Sequence, residues 1–205
     1  MNKKIATIII AAAIVLTACG NNSDASNDAN NESAVAKSTA DFSAIHEVQT
    51  QNRVEEFNTE EYNFKPATLQ ALIPDGFEAE EEGLYLSKKY PKDVSSINYI
   101  ISDQSDDPTA VTKEQYIELL KKEFKEGYGE DIDFDITQYD KVMIDNRPGL
   151  WIMYNYDFRG EHYYALSVVI YNGTESHYMT YLQGPGYDWM KDFADSANSI
   201  SLMDK

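Results

Sequence analysis

The side chains able to do acid–base or metal chemistry are few in kind and poorly arranged for it. The chain has three histidines (His46, His162 and His177), one cysteine (Cys19) and 35 aspartates and glutamates. No G-x-S-x-G stretch occurs, so a serine nucleophile lacks its strand-to-helix elbow. His46-Glu47 begins like a zinc-binding helix, but Thr50 stands where the second histidine would be needed. Asp131, Asp133 and Asp135 begin like a calcium loop. Its sixth and twelfth positions are Ile136 and Val142 instead of glycine and a carboxylate. Alternation of these acids with Ile132, Phe134 and Ile136 predicts a strand with one wet face, weak cation association along the row being the alternative. Gly184-Pro185-Gly186-Tyr187-Asp188-Trp189 holds two glycines of a dinucleotide loop, but Trp189 occupies the third position, so a strand-to-helix turn is expected. A two-residue Asn172-Gly173 loop would set His177 opposite Val168 and His162 opposite Gln183, too far apart to cooperate. Glu78, Glu80, Glu81 and Glu82 read as an acidic loop, and among so many acids spacing alone nominates no glycosidase pair. The expectation is no catalytic residue, no metal ligand and no cofactor.

Aromatic residues form the other chemical population, with 15 tyrosines and 2 tryptophans. They crowd the last third of the chain, where most should face a sheet or a core. Tyr187 and Trp189 fall at the predicted turn and helix start. They are the candidate partner-binding residues, suited to a peptide, glycan or protein surface.

The N-terminus carries an address. Lys3 and Lys4 precede an apolar run from Ile5 to Leu16. That run is short of the ~20 residues that span a bilayer and fits a secretory leader. Leu16-Thr17-Ala18-Cys19-Gly20 resembles the lipobox of bacterial lipoproteins. The resemblance implies cleavage after residue 18 and a diacylglyceryl thioether on Cys19. Two acyl chains hold a protein on a membrane where one holds it only marginally. The formal net charge is -18. Removing Lys3 and Lys4 with the leader leaves 15 bases against 35 acids, hence -20. Such a surface repels phosphate backbones, so no nucleic-acid partner is expected. A lone cysteine excludes an internal disulfide framework.

Residues 19–40, with their Asn, Ser and Asp, bury too little to order themselves and read as a tether reaching about 25 Å. Residues 41–65 form a lead-in in which Phe42, Ile45, Val48, Val54 and Phe57 could line an irregular helix. Residues 66–205 are long enough for one globular domain. Short strands are expected at Leu69–Ile73, Leu84–Leu86 and Ile97–Ile101, with a Pro74-Asp75-Gly76 turn. Thr112 and Gln115 form a capping box before Tyr116, Leu119, Leu120 and Phe124, and Gly127 or Gly129 stops that helix. Val142–Ile144 should enter a turn at Asn146-Arg147-Pro148-Gly149. Hairpin strands follow at 150–158, 162–171 and 178–182, with a tight Arg159-Gly160 turn. The strand 162–171 is apolar on both faces, which calls for a covering layer on each side. A last helix is expected over 187–199.

The order of LQALIPDGF, VMIDNRPGLWIMYNY, YYALSVVIYNGTESHYMTYLQG and DWMKDFADSANSISL resembles the PsbP-like domain over about residues 66–203. The resemblance implies an α+β fold, an antiparallel sheet flanked by helices as an α/β/α sandwich, used for binding or assembly. It implies no particular ligand. A cystatin-like helix on a curved sheet is the alternative fold. The expected function is that of a lipid-anchored protein on the extracytoplasmic face of the cell membrane, with a non-catalytic binding or accessory domain. An envelope-directed hydrolase with a cryptic carboxylate site, or a solute-binding lipoprotein, are the alternatives.

Cys19→Ala should abolish labelling by radioactive palmitate and leave either an unprocessed precursor or protein in the medium. Fully processed Cys19→Ala protein retained at the membrane would contradict the anchor.

Overall fold

The computed structural model describes residues 53–57, 66–103 and 107–204. Cys19, the tether, His46 and most of the lead-in lie outside the described residues. In chain order the elements are β1 (Arg53–Val54), β2 (Ala67–Gln70), β3 (Phe77–Glu81), β4 (Leu84–Ser87) and β5 (Ser96–Ser102). Then come α1 (Lys113–Tyr128), β6 (Phe134–Ile144), β7 (Arg147–Phe158), β8 (Glu161–Tyr171), β9 (Ser176–Gln183), α2 (Met190–Asn198) and β10 (Ser201–Asp204). One antiparallel sheet runs β1-β6-β7-β8-β9-β5-β4-β3, and β10 pairs with β2 as a separate two-stranded ribbon.

Alternation along β7, β8 and β9 sends apolar side chains to both faces. Ile152, Tyr154, Val169 and Leu182 join Tyr116, Leu120 and Phe124 of α1 in one core. Trp151, Leu166, Ile170 and Tyr181 join Met190, Phe193 and Ala197 of α2 in the other, which Leu202 of the ribbon completes. The layered α+β architecture expected from the two-faced strand is therefore present. Each fully buried large side chain, such as Ile152 or Phe193, contributes about 1.5–3 kcal/mol by leaving water.

The helix signals act as read. The Thr112 hydroxyl accepts from the Gln115 amide, the Gln115 side chain accepts from the Thr112 amide, and Gly129 ends α1 in the left-handed conformation. The N-terminus of α2 is closed differently. Gln183 Oε1 accepts from the amides of Trp189 and Met190, so a side chain from the end of β9 replaces a local cap.

Several expectations are corrected. The residues 146–149 are not a turn; Asp145 and Asn146, with φ of 49° and 61°, form it, and β7 begins at Arg147. Arg147 is buried, where its guanidinium bonds Asn172 Oδ1 at 2.8 Å and pairs with Asp204 of β10. The loop after β8 holds four residues, closed by the Asn172 amide on Glu175 O at 2.8 Å. The register therefore shifts: His177 faces Ile170, and Tyr164 faces Gln183. His162 faces Asp157 instead. The acidic stretch at Glu78–Glu81 is the edge strand β3, anchored by buried Phe77. Charged side chains on an edge strand discourage pairing with another chain. Within the lead-in, Arg53 and Val54 pair as a strand with Val142 and Lys141, and Arg53 reaches buried Asp140 at 2.9 Å.

Candidate functional site

Tyr99 lies at the centre of the most developed polar arrangement facing a cavity. β5 and β9 pair with Ile97 opposite Tyr181, Tyr99 opposite Met179 and Ile101 opposite His177. Cross-strand partners share a face, so Tyr99, Met179 and His177 all point to the side that α2 and the ribbon cover. The Tyr99 hydroxyl and His177 Nδ1 are 2.8 Å apart, and the two rings stack with an interplanar angle of 10°. His177 is fully buried, and its Nε2 lies 3.3 Å from Glu175 Oε1. A carboxylate beside Nε2 favours the proton there, which leaves Nδ1 to accept the Tyr99 hydroxyl proton.

The tyrosine–histidine–glutamate order resembles a proton relay, but its outer bonds go to backbone. Glu175 Oε1 accepts from the Ala67 amide at 2.8 Å and from Asn172 Nδ2 at 3.2 Å. The Tyr99 oxygen is met by the backbone of Leu69. Ala67 and Leu69 are alternate residues of β2, so their amides point the same way, out of the ribbon edge that does not pair with β10. Two side chains thus take the place of a neighbouring strand along the ribbon. Burial, opposed by the Leu69 bond and reinforced by the Glu175 charge, pushes the Tyr99 hydroxyl up to about 12. At neutral pH it is a neutral phenol, a donor and acceptor in a fastening and not a phenolate nucleophile.

Beyond Tyr99 the ribbon and the sheet diverge and leave a cleft of about 650 Å³. Leu69, Leu72 and Ile73 form its ribbon side, Tyr85, Tyr99 and Met179 its sheet side, and Glu82-Gly83 and Ser199 lie at its ends. The Leu72 amide is held by Ser199 Oγ at 2.8 Å, which keeps the segment after β2 against the end of α2. Gly83 is required by close approach. Its φ is +79°, Tyr99 N donates to Gly83 O at 2.7 Å, and a Cβ there would sit 2.4 Å from Tyr99 O. The three exposed large apolar side chains among the described residues are Leu72 (75%), Met203 (50%) and Ile101 (45%). Of these Leu72 is a wall of the cleft, while Ile101 lies on β5 two residues past Tyr99 and Met203 on β10 alternates with core-facing Leu202.

The sequence-predicted site residues lie elsewhere. Trp189 packs edge-on against Phe77 at 5.1 Å and donates from Nε1 to buried Asp93 Oδ2 at 2.8 Å. Its ring covers Gly76, where any Cβ would meet it at 2.2 Å. Tyr187 is half-buried under the Lys89 ammonium, 5.6 Å from the ring centre. Neither forms a wall of the cleft. Asp131 and Asp133 precede β6 and pair with Lys125 and Lys121 of α1 at 2.8 and 2.9 Å, while Asp135 is on the strand beside Asn155. The expected row of three acids on one strand is therefore not formed. Among the described residues no group of three His, Cys, Asp or Glu side chains is placed to hold a metal ion. The signals for the cleft were a Tyr99 in phase with Ile97 and Ile101, and a Leu72 out of phase with Leu69, Ala71 and Ile73; the strand expected over Leu69–Ile73 is instead Ala67–Gln70, which leaves Leu72 beyond its end.

Comparison with known proteins places the fold. No family model and no curated protein matches this sequence. The solution structure of cyanobacterial PsbP (CyanoP) from Synechocystis sp. PCC 6803 is similar with a TM-score of 0.51 and 14% identity, over 72% of this chain and 91% of that one. The crystal structure of LpqN, involved in cell envelope biogenesis of Mycobacterium tuberculosis, gives a TM-score of 0.43 and 13% identity, over 68% of this chain and 85% of that one. The large antiparallel sheet with its two helices is a PsbP-like fold.

Tyr99→Phe removes the hydroxyl that joins His177 to Leu69 and should cost about 1–3 kcal/mol in urea unfolding, the range for a buried group left without its partner. The raised Tyr99 value carries a sign. The unfolded phenol ionises near 10 and the folded one near 12, so this contribution is whole below pH 10 and is lost as pH climbs to about 12. The wild type should therefore lose stability across that interval more steeply than Tyr99→Phe, and equal slopes would refute the fastening.

Proposed function

We propose that this chain is a lipoprotein of the extracytoplasmic membrane face whose PsbP-like domain is a non-catalytic binding module, with the ribbon cleft as its binding site. Cys19 and the apolar leader support the anchor. Among the described residues no helix is long and apolar enough to cross a membrane. The cleft supports the binding role, and one observation carries it: Leu72, the most exposed large apolar side chain among the described residues at 75%, is itself a wall of that cleft. An exposed leucine on the wall of an apolar cleft, in a chain that is otherwise acidic, marks a place that a ligand can cover. The tether holds the domain within a few nanometres of the bilayer, so the partner is another component of the envelope or a molecule passing it. Tyr99, His177 and Glu175 shape the site by holding the ribbon, and their polar atoms serve that hold and not turnover.

A photo-crosslinking residue at Leu72, in the full chain on intact cells, tests this directly. Irradiation should give a discrete adduct from position 72 that a crosslinker at Glu161, on the distant hairpin turn, does not give. Equal yields from both positions, or none from position 72, would overturn the assignment of the cleft.

A further inference from the structure

The cleft has a charge character that narrows its occupant. Among its walls Glu82 is the one formally charged side chain, and no lysine, arginine or histidine lines it. Glu82 is exposed and follows the edge strand β3, whose Glu78 and Glu81 pair with Leu86 and Leu84 and so share the sheet face opposite to Tyr85. Its apolar lining includes four aliphatic side chains, Leu69, Leu72, Ile73 and Met179, of which Met179 is buried and Leu72 exposed. The whole chain has a formal net charge of -18. An apolar floor with a carboxylate at one end suits a ligand that is apolar and cationic within a few ångströms.

We propose that the ribbon cleft binds a basic peptide segment, in which an aliphatic side chain enters between Leu72 and Met179 and an adjacent lysine or arginine meets Glu82. This rests on the cleft being the binding site and adds the class of ligand. Charge complementarity favours it over an acidic peptide or an anionic lipid headgroup, both of which Glu82 and the acidic chain as a whole repel. The aliphatic walls favour it over a glycan, since sugars pack on exposed flat aromatic faces and here Tyr99 is turned into its bond with His177, which leaves Tyr85 as the other aromatic among four aliphatic side chains. Lysine and arginine also carry long apolar stems that can lie along Leu72 while the charge stays at the rim.

The experiment is selection of a randomised heptapeptide library, displayed on phage, against the mature protein, followed by titration of the enriched synthetic peptides. Enriched sequences should pair lysine or arginine with leucine, isoleucine or valine. Their affinity should fall about tenfold or more on Glu82→Lys, and similarly on Leu72→Asp. Glu161→Lys, an equal change of net charge at the far hairpin, should leave affinity within about twofold. Circular dichroism of each variant verifies folding. Enriched peptides that lose binding on Leu72→Asp but show no basic residues would refute the ligand class and leave the cleft standing as the site. Basic peptides indifferent to Leu72→Asp would refute both. Basic peptides equally weakened by Glu161→Lys would show attraction to overall charge alone and refute the role of Glu82.

Discussion

The whole architecture follows from strands that are apolar on both faces. β8 buries alternate residues on opposite sides of the sheet, Leu166, Val168 and Ile170 on one and Ala165 and Val169 on the other. A sheet of that kind is stable only when a layer covers each face. On one face α1, with 16 residues, spans about 24 Å at ~1.5 Å per residue and suffices with its neighbouring segments. On the other face α2 has 9 residues and spans about 14 Å. The 11-residue β8 beneath it runs about 37 Å. The remaining length is covered by the β2–β10 ribbon, and the cleft is the seam where that second cover ends.

A two-stranded ribbon is marginal by itself. Here it is tied to the sheet by groups that would otherwise be costly to bury. Glu175 takes the Ala67 amide, Tyr99 meets Leu69, and Asp145 Oδ2 takes the Leu202 amide at 2.6 Å. Buried Arg147 pairs with Asp204 and with Asn172, which itself holds Glu175. A buried guanidinium is stabilising only when such partners saturate it. The ties come from the β6–β7 turn and the β8–β9 loop, at one end of the sheet. The ribbon is fixed there and at the Ser199 contact with Leu72, and the cleft opens between those points. The same groups that complete the second layer thus set the dimensions of the binding site.

Local physics made much of this readable beforehand. The capping box at Thr112, the left-handed stop at Gly129 and the Arg159-Gly160 turn are decided by adjacent residues, and they appear as read. The two-sided burial of β8 was visible in its composition. The errors share a cause, since each was settled by a partner distant in sequence. Arg147 looks like a turn residue until Asp204, 57 positions away, is known to pair with it. Asn172-Gly173 reads as a two-residue loop, but Asn172 closes on Glu175 and Glu175 on Ala67, so the hairpin is longer and His177 moves by two positions. Trp189 reads as a candidate partner-binding residue at a turn, and its place in the fold is set by Asp93, 96 positions earlier, which takes its indole N–H. The cleft was invisible for the same reason, because β2 pairs with β10 from the other end of the domain.

Amide hydrogen exchange on the mature protein addresses the central claim, that side chains fasten the ribbon as a strand would. The Ala67 and Leu69 amides should exchange slowly in the wild type. In Glu175→Ala they should exchange far faster while Val168 and Ile170 remain protected. Exchange of Ala67 and Leu69 at the rate of an unstructured chain in the wild type would contradict the account.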